Sequence, residues 1–387
     1  MDYPDLLFRE RPIGTENNWA ILHFLSGKMQ EWGYEVETIP LKCKLWKKGI
    51  SSLERGRVSF DIYPGPFSPG YEGLVPQMLY INSLDYLKTE NLHGKIVLLY
   101  DDLCREPLMP KDFPFFYPDD HKILIDLLEE KQPLAIIAAT GKHPMSGQNP
   151  FSLFEDGNFS IPNACMDAEP ARELIYLKGP VSLLLNSEAL DASSLQLIAR
   201  RPGQKKKKVV VCAHMDTKYD TPGAIDNGAG VMALLEAMHL LKDYRGRYEL
   251  EFVPFNGEEY FGVSGQLAYL DQQEISYDHI ALVVNMDSLG HKNGKAAVSQ
   301  YNIQDEKSID QLVDGFPKIT KGPLWYAGDH SMFAFQGVPC LALTSSNLFE
   351  EVISLTHTPK DTPDHLDNTL IKEAAAFVAE VVNSLKH

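Results

Sequence analysis

Positive charge is scarce in this 387-residue chain: 36 Lys and Arg stand against 53 Asp and Glu, a formal net charge of −17. A nucleic-acid binder presents a basic face, so that class of partner is excluded. The one basic run, Lys205 to Lys208, precedes an apolar strand and reads as a solvated turn. Cysteine is also sparse, with five residues (Cys43, Cys104, Cys165, Cys212, Cys340) and no CxxC spacing. That count excludes a disulfide framework and a cysteine-built metal site, and it points to buried thiols in a reducing compartment. Long apolar runs are missing, and none approaches the roughly 20 residues of a membrane span. The opening stretch, Met1 to Gly14, holds Pro4, Asp5, Arg9 and Arg11 where a secretory leader would be apolar. The expected location is cytoplasmic. Neither internal repeats nor low-complexity tracts occur.

What is present is an ordinary globular composition, 44% hydrophobic and 23% charged, in a chain long enough for two domains. Thr15 to Gly33 reads as a helix, with Thr15 as N-cap and Ala20, Ile21, Phe24, Leu25, Met29 and Trp32 at helical spacing. A short strand, Tyr34 to Leu41, follows. Between residues 43 and 185 the character changes. Pro and Gly cluster at 63–70 and 107–118, and short apolar strands (95–100, 134–139) flank a helix near His121 to Glu130. This segment gathers no catalytic residue types and reads as a smaller inserted α/β domain.

From Ser193 onward, apolar strands (209–213, 248–254, 280–285, 338–344) alternate with helices (228–242, 262–272, near 331–336, 369–385). That alternation predicts an α/β fold with a mostly parallel central sheet flanked by helices. The catalytic domain then comprises residues 1–42 and 186–387, with 43–185 inserted.

In such sheets ligands bind beyond the carboxyl ends of the strands. His214 follows the first of these strands, Glu258 and Glu259 the second, and Asp287 the third; Asp226 lies in the turn that opens a helix. Any one of them alone would be a surface histidine, a turn aspartate or a solvated acidic pair. Together with Asp216 and His357 they supply two imidazoles and enough carboxylates for two zinc ions and a general base. Two such ions, roughly 3.5–4 Å apart, need a bridging carboxylate, for which Asp226 is placed best. His214 and Asp287 would complete one ion, and Glu259 and His357 the other. Asp216 is placed to accept the second imidazole N–H of His214 and fix its tautomer. Glu258 would act as general base, although the residues alone leave Glu258 and Glu259 exchangeable.

The stretches Ala213-His-Met-Asp216, Gly223-Ala-Ile-Asp-Asn-Gly-Ala-Gly230, Asn256-Gly-Glu-Glu259, Asn285-Met-Asp-Ser-Leu-Gly290, Gly328-Asp-His330 and His357-Thr-Pro-Lys-Asp-Thr-Pro-Asp364 resemble metallopeptidase family 28, the di-zinc exopeptidases. The resemblance runs from about Ser193 to the end, with Arg9 to Gly33 similar to the family's opening helix. It implies His214 and Asp287 on one zinc, Glu259 and His357 on the other, Asp226 bridging and Glu258 as base. It also implies a cis peptide between Asp226 and Asn227, and an inserted segment that looks like a protease-associated domain. Gly328 departs from the serine usual before Asp-His. Tyr326 is the nearest candidate for the tyrosine that stabilises the tetrahedral intermediate in some members. Related di-zinc families insert a lid after the first or fourth ligand, but here His214 and Asp226 are 12 residues apart and Asp287 and His357 about 70.

The expected activity is therefore hydrolysis of the N-terminal peptide bond of peptides with a free N-terminus, using two zinc ions per chain. The alternatives are a carboxypeptidase-like or glutaminyl-cyclising enzyme on the same scaffold, or a catalytically silent receptor-type binding protein. Missing ligands would mark the last of these, and none is missing.

Overall fold

The computed structural model describes residues 4–205, 207–272 and 277–385. Lys206, inside the basic run, lies outside the described residues. The chain divides into two compact units, 1–43 with 193–387, and 44–192.

The first unit opens with helix α1 (Glu16–Glu31), whose N-cap Thr15 accepts the Asn18 N–H through its side chain. Strands β1 (Glu35–Arg55) and β2 (Val181–Arg201) carry the chain out of this unit and back. Then come β3 (Lys208–His214), α2 (Gly230–Leu240), β4 (Glu249–Phe255), α3 (Ser264–Gln272), β5 (Ile280–Met286) and β6 (Ala296–Tyr301). The remainder is α4 (Glu306–Asp314), β7 (Ile319–Lys321), α5 (Ser331–Ala334), β8 (Cys340–Ser345) and α6 (Asn368–Ser384). The sheet order is β7-β6-β8-β5-β3-β4-β2-β1. Strands β4, β3, β5 and β8 run parallel in the middle. Strand β2 is antiparallel to β4, and β6 to β8. The result is a mixed α/β sheet with a parallel centre.

Every residue of β3 is buried, as its unbroken valine run requires of a strand covered on both faces. Val209, Val211 and Ala213 share one core with Leu234 and Met238 of α2 and Phe377 of α6. Burial of each large apolar side chain there contributes about 1.5–3 kcal/mol. Lys208 departs from the solvated-turn expectation. It starts β3, is buried, and its Nζ lies 2.8 Å from the Glu251 carboxylate. Arg200 reaches the other oxygen of Glu251 at 2.8 Å, so the charge is paired inside the sheet.

In the second unit, strands 78–81, 96–99, 135–140 and 163–167 are parallel, with 63–64 antiparallel at one edge. Ile96, Leu98 and Ile137 join one core, whereas Val97, Leu99 and Ile136 join another. Alternation with period two thus buries both faces of this smaller sheet. All five cysteines are buried and unpaired. Among the described residues no helix is long and apolar enough to cross a membrane.

Candidate metal centre

The carboxyl ends of β3, β4 and β5 lie side by side because these strands are paired in register, His214 opposite Phe255 and Cys212 opposite Asn285. Loops leaving these ends carry Glu258, Glu259 and Asp287 to His214. Asp226 and His357 arrive from the turn before α2 and from a loop after β8.

Asp226 stands at the middle. Its Oδ1 is 3.0 Å from His214 Nε2, and its Oδ2 is 3.1 Å from His357 Nε2. Asp287 Oδ1 lies 3.6 Å from the same His214 nitrogen, and Glu259 Oε1 lies 2.8 Å from His357 Nε2. Ligand atoms therefore fall into three groups able to hold a cation: His214, Asp226 and Asp287; Asp226, Glu259 and His357; and His214 with Glu258 and Glu259. Among the described residues these are the only such groups. His214, Asp226 and Asp287 are buried, Glu258 and Glu259 are half-buried, and His357 is the open side.

The loops bend sharply to make this arrangement. Gly257 sits at φ 104°, a conformation closed to other residues, and turns the chain between β4 and the two glutamates. His357 itself has φ 58°, a left-handed backbone that costs a non-glycine residue about 1–3 kcal/mol and is typical of functional loops. The Asp226–Asn227 peptide is cis.

Asp216 lies beside His214 Nδ1, and its shorter contacts are to another loop. Its Oδ1 lies 3.8 Å from His214 Nδ1, beyond hydrogen-bond range. Its two oxygens instead accept the backbone N–H groups of Glu258 and Glu259, each at 3.1 Å. Asp216 thus fixes the loop bearing the acidic pair while its carboxylate also faces His214 Nδ1 as an ion-pair partner. Tyr326 is half exposed; its ring stacks on Phe335 at 5.4 Å and meets Tyr301 edge-on. No interaction joins it to the five ligands. Asp329 accepts from Gln266 at 3.0 Å, and His330 makes no side-chain cap for α5.

Charge dominates the electrostatics. Burial opposes the charged form of His214, yet the carboxylates of Glu258, Asp216, Asp226 and Asp287 together push its pKa well up. The same contest, with Glu259 and Asp226 as partners, raises His357. Burial works to raise Asp226, but both imidazoles hold it far below the usual carboxylate range. Glu258 moves the other way: desolvation, with help from Glu259, Asp329 and Asp287, raises it well above an ordinary glutamate. Burial likewise lifts Asp329 to about 7.

The sequence reading missed three residues. Asn18 of α1 donates to the Asn256 Oδ1 at 2.8 Å, steadying the residue where β4 turns toward Glu258. Arg11 is fully buried beneath the turn that carries Asp226, and Asp361 accepts hydrogen bonds from that turn's backbone. Asp361 lies in the His357–Asp364 stretch already singled out, so its position was visible although its task was not.

The strand ends of this α/β sheet thus converge histidines and carboxylates on one shared aspartate, as a candidate metal centre requires. A sequence profile of Peptidase family M28 matches residues 196–382, and over that stretch the chain is similar to that family. Aminopeptidase YwaD of Bacillus subtilis is 28% identical over 193 residues, which cover 45% of this chain and 40% of the relative. Human carboxypeptidase Q is 28% identical over 303 residues, 72% of this chain and 61% of the relative. The matched stretches thus span less than two thirds of either of these relatives. The solved aminopeptidase from Aneurinibacillus sp. strain AM-1 shares the fold at a TM-score of 0.74 and 18% identity, over 98% of this chain and 91% of that one. A zinc aminopeptidase from Bacillus subtilis gives a TM-score of 0.71 at 19% identity, over 97% and 91%.

Proposed function

We propose that this chain is a zinc-dependent aminopeptidase acting on peptides with a free N-terminus, with two zinc ions per chain. The observation that carries this reading is the position of Asp226, whose two oxygens face different imidazoles at 3.0 and 3.1 Å. His214, Asp226 and Asp287 would hold one ion, and Asp226, Glu259 and His357 the other. The donor set fits. With both imidazoles neutral, Asp226, Asp287, Glu258 and Glu259 carry four negative charges, which two divalent cations balance. Oxygen and imidazole donors without thiolate suit zinc. Zinc held there supplies Lewis-acid polarisation of the scissile carbonyl and makes water acidic enough to ionise near neutral pH.

The protein's own part is positional and acid–base. Glu258 is the one carboxylate of the cluster outside the two groups that share Asp226. Its raised pKa suits it to take a proton from the attacking water and pass it to the leaving amine. Asp216 holds the backbone of both glutamates and so keeps the base beside the ligands. Surplus carboxylate at the rim favours an ammonium terminus. The likeness to Aminopeptidase YwaD supports the same choice. We read unit 44–192 as a protease-associated-like domain.

Carboxypeptidase action is the second reading, favoured by the likeness to carboxypeptidase Q over 72% of the chain. Metal analysis with a leucine anilide assay, before and after chelation, tests the first. About two zinc ions per chain and chelator-sensitive release of the anilide are expected. Fewer than one ion per chain after supplementation refutes the metal reading. Cleavage of N-acetylated peptides from the C-terminus with the anilide untouched refutes the aminopeptidase reading in favour of the second.

A further inference from the structure

Arg11 is among the largest fully buried side chains of the described residues, and none of its hydrogen bonds goes to a carboxylate. Its guanidinium donates only to backbone carbonyls. Nε reaches Met215 O at 2.7 Å, Nη1 reaches Leu7, Arg9 and Pro222 O at 2.9, 3.1 and 3.0 Å, and Nη2 reaches Gly223 O at 3.0 Å. Its own N–H donates to Thr217 Oγ1 at 2.9 Å. A cation buried among neutral dipoles is expensive unless charge lies nearby. Here Asp216, Asp361, Asp226 and Glu259 surround it at longer range and offset the desolvation, which still lowers its pKa to about 10.

Asp361 completes the pattern from the other side of the same turn. Also fully buried, it accepts the Ile225 N–H on Oδ1 at 2.7 Å and the Asp226 N–H on Oδ2 at 3.0 Å. Its backbone carbonyl takes the Ala224 N–H at 3.2 Å. The turn is therefore held from two sides: carbonyls of 222 and 223 meet the guanidinium, amides of 225 and 226 meet the Asp361 carboxyl group, and the amide of 224 meets its backbone carbonyl. Gly223, at φ 64°, leaves no room for a side chain, because an added Cβ would overlap Thr217 and come within 2.7 Å of Asp226 O. Each half of the arrangement also leads to another ligand. Met215 adjoins His214, and Asp361 follows His357 by four residues.

We propose that Arg11 and Asp361 form a two-sided clamp on the turn Pro222–Asp226 that sets the bridging carboxylate and thereby the zinc affinity of both groups. Both are positioning residues: neither touches a ligand side chain, and they act through the backbone that carries Asp226. The inference rests on the zinc reading above. It places a determinant of metal binding outside residues 196–382, the stretch that matches the family profile.

The test compares wild type with Arg11→Lys, which keeps the charge but loses the fork, and Asp361→Asn, which keeps the size but turns one acceptor into a donor facing an N–H. Zinc affinity is read by chelator competition, coordination by the visible spectrum of the cobalt-substituted protein, and folding by circular dichroism and melting without metal. Each variant is expected to bind zinc about 10- to 100-fold more weakly, the range for groups that orient metal ligands, and to show an altered cobalt spectrum. Wild-type zinc affinity and cobalt spectrum in both variants, with only the melting temperature lowered, would overturn the clamp. So would variants that fail to fold even with zinc, since Arg11 and Asp361 would then be general fold determinants. Wild type that binds no zinc is a separate failure, of the functional reading itself.

Discussion

His330 makes a quantitative claim about acid. It is fully buried, with Nε2 2.9 Å from the Trp325 carbonyl and Nδ1 3.4 Å from the Asn285 amide nitrogen. The neutral Nε2–H tautomer satisfies both: it donates to the carbonyl and accepts from the amide. Asn285 is not free to turn over, because its Oδ1 accepts the Cys212 thiol at 3.5 Å. A second proton on the ring would face a donor, inside a cage formed by Trp325 and Tyr301. Burial accordingly lowers the pKa from 6.5 to about 4. The sign follows directly. Between these values the unfolded chain binds a proton that the folded chain refuses, so stability is full above pH 6.5 and falls as pH drops toward 4. At 1.36 kcal/mol per pH unit the whole loss is about 3 kcal/mol, and about 2 kcal/mol of it is gone by pH 5. Urea unfolding of chelator-treated protein at pH 7 and pH 5, for wild type and His330→Gln, isolates this contribution. Gln retains a donor for the Trp325 carbonyl and does not titrate, and other titrating groups cancel in the difference. Wild type should lose about 2 kcal/mol more than the variant between the two pH values. Equal losses would refute the argument.

Two further outcomes follow from the site and the core. Glu258→Gln should lower kcat on leucine anilide by about 10²–10⁴-fold with zinc content unchanged; a variant keeping more than a tenth of wild-type kcat removes Glu258 from the base role. Phe252, fully buried in β4 with its ring edge-on to Tyr34 at 5.4 Å, should cost about 3–5 kcal/mol on change to Ala. A loss under 1 kcal/mol in denaturant unfolding would show that the core closes over the gap.

The candidate site was legible because sheet geometry does much of the work. A continuous apolar run such as Val209–Val211 announces a strand buried on both faces, and the residue after such a strand falls on the binding edge. His214, Glu258, Glu259 and Asp287 were each found in that way. The four strands of the parallel centre, β3, β4, β5 and β8, fell within about two residues of their predicted boundaries, since β-branched runs mark them. Strand β1 was cut short at residue 41, although Leu41-Lys-Cys-Lys-Leu45 carries the alternation on as far as Trp46-Lys-Lys48, and it runs to Arg55. Strands β2 and β6, the antiparallel neighbours of the parallel centre, were not read as strands at all. The role of Asp216 was legible only in part. Spacing places a carboxylate near an imidazole two residues away, but it cannot show that two backbone amides from another loop also compete for it.

That competition explains why the supporting residues escaped sequence reasoning while the ligands did not. Ligands have to be histidine or carboxylate, and their residue type betrays them. Supports meet backbone groups or neutral amides, so Arg11, ahead of α1, and Asn18, in its first turn, look like any charged or polar residue there. Yet the ligand loops here have little else to fix them. Gly223 and Gly257 are in left-handed conformations, His357 is strained, and β3 ends before any of these segments begins. Backbone polar groups in such loops need partners wherever water is excluded. The partners come from far along the chain: Arg11 lies 204 residues from Met215, and Asp361 lies 135 from Asp226. A site of this kind therefore forms only when the two ends of the chain have closed on the central sheet. Zinc affinity should accordingly respond to substitutions at residue 11 as it does to those beside the ligands.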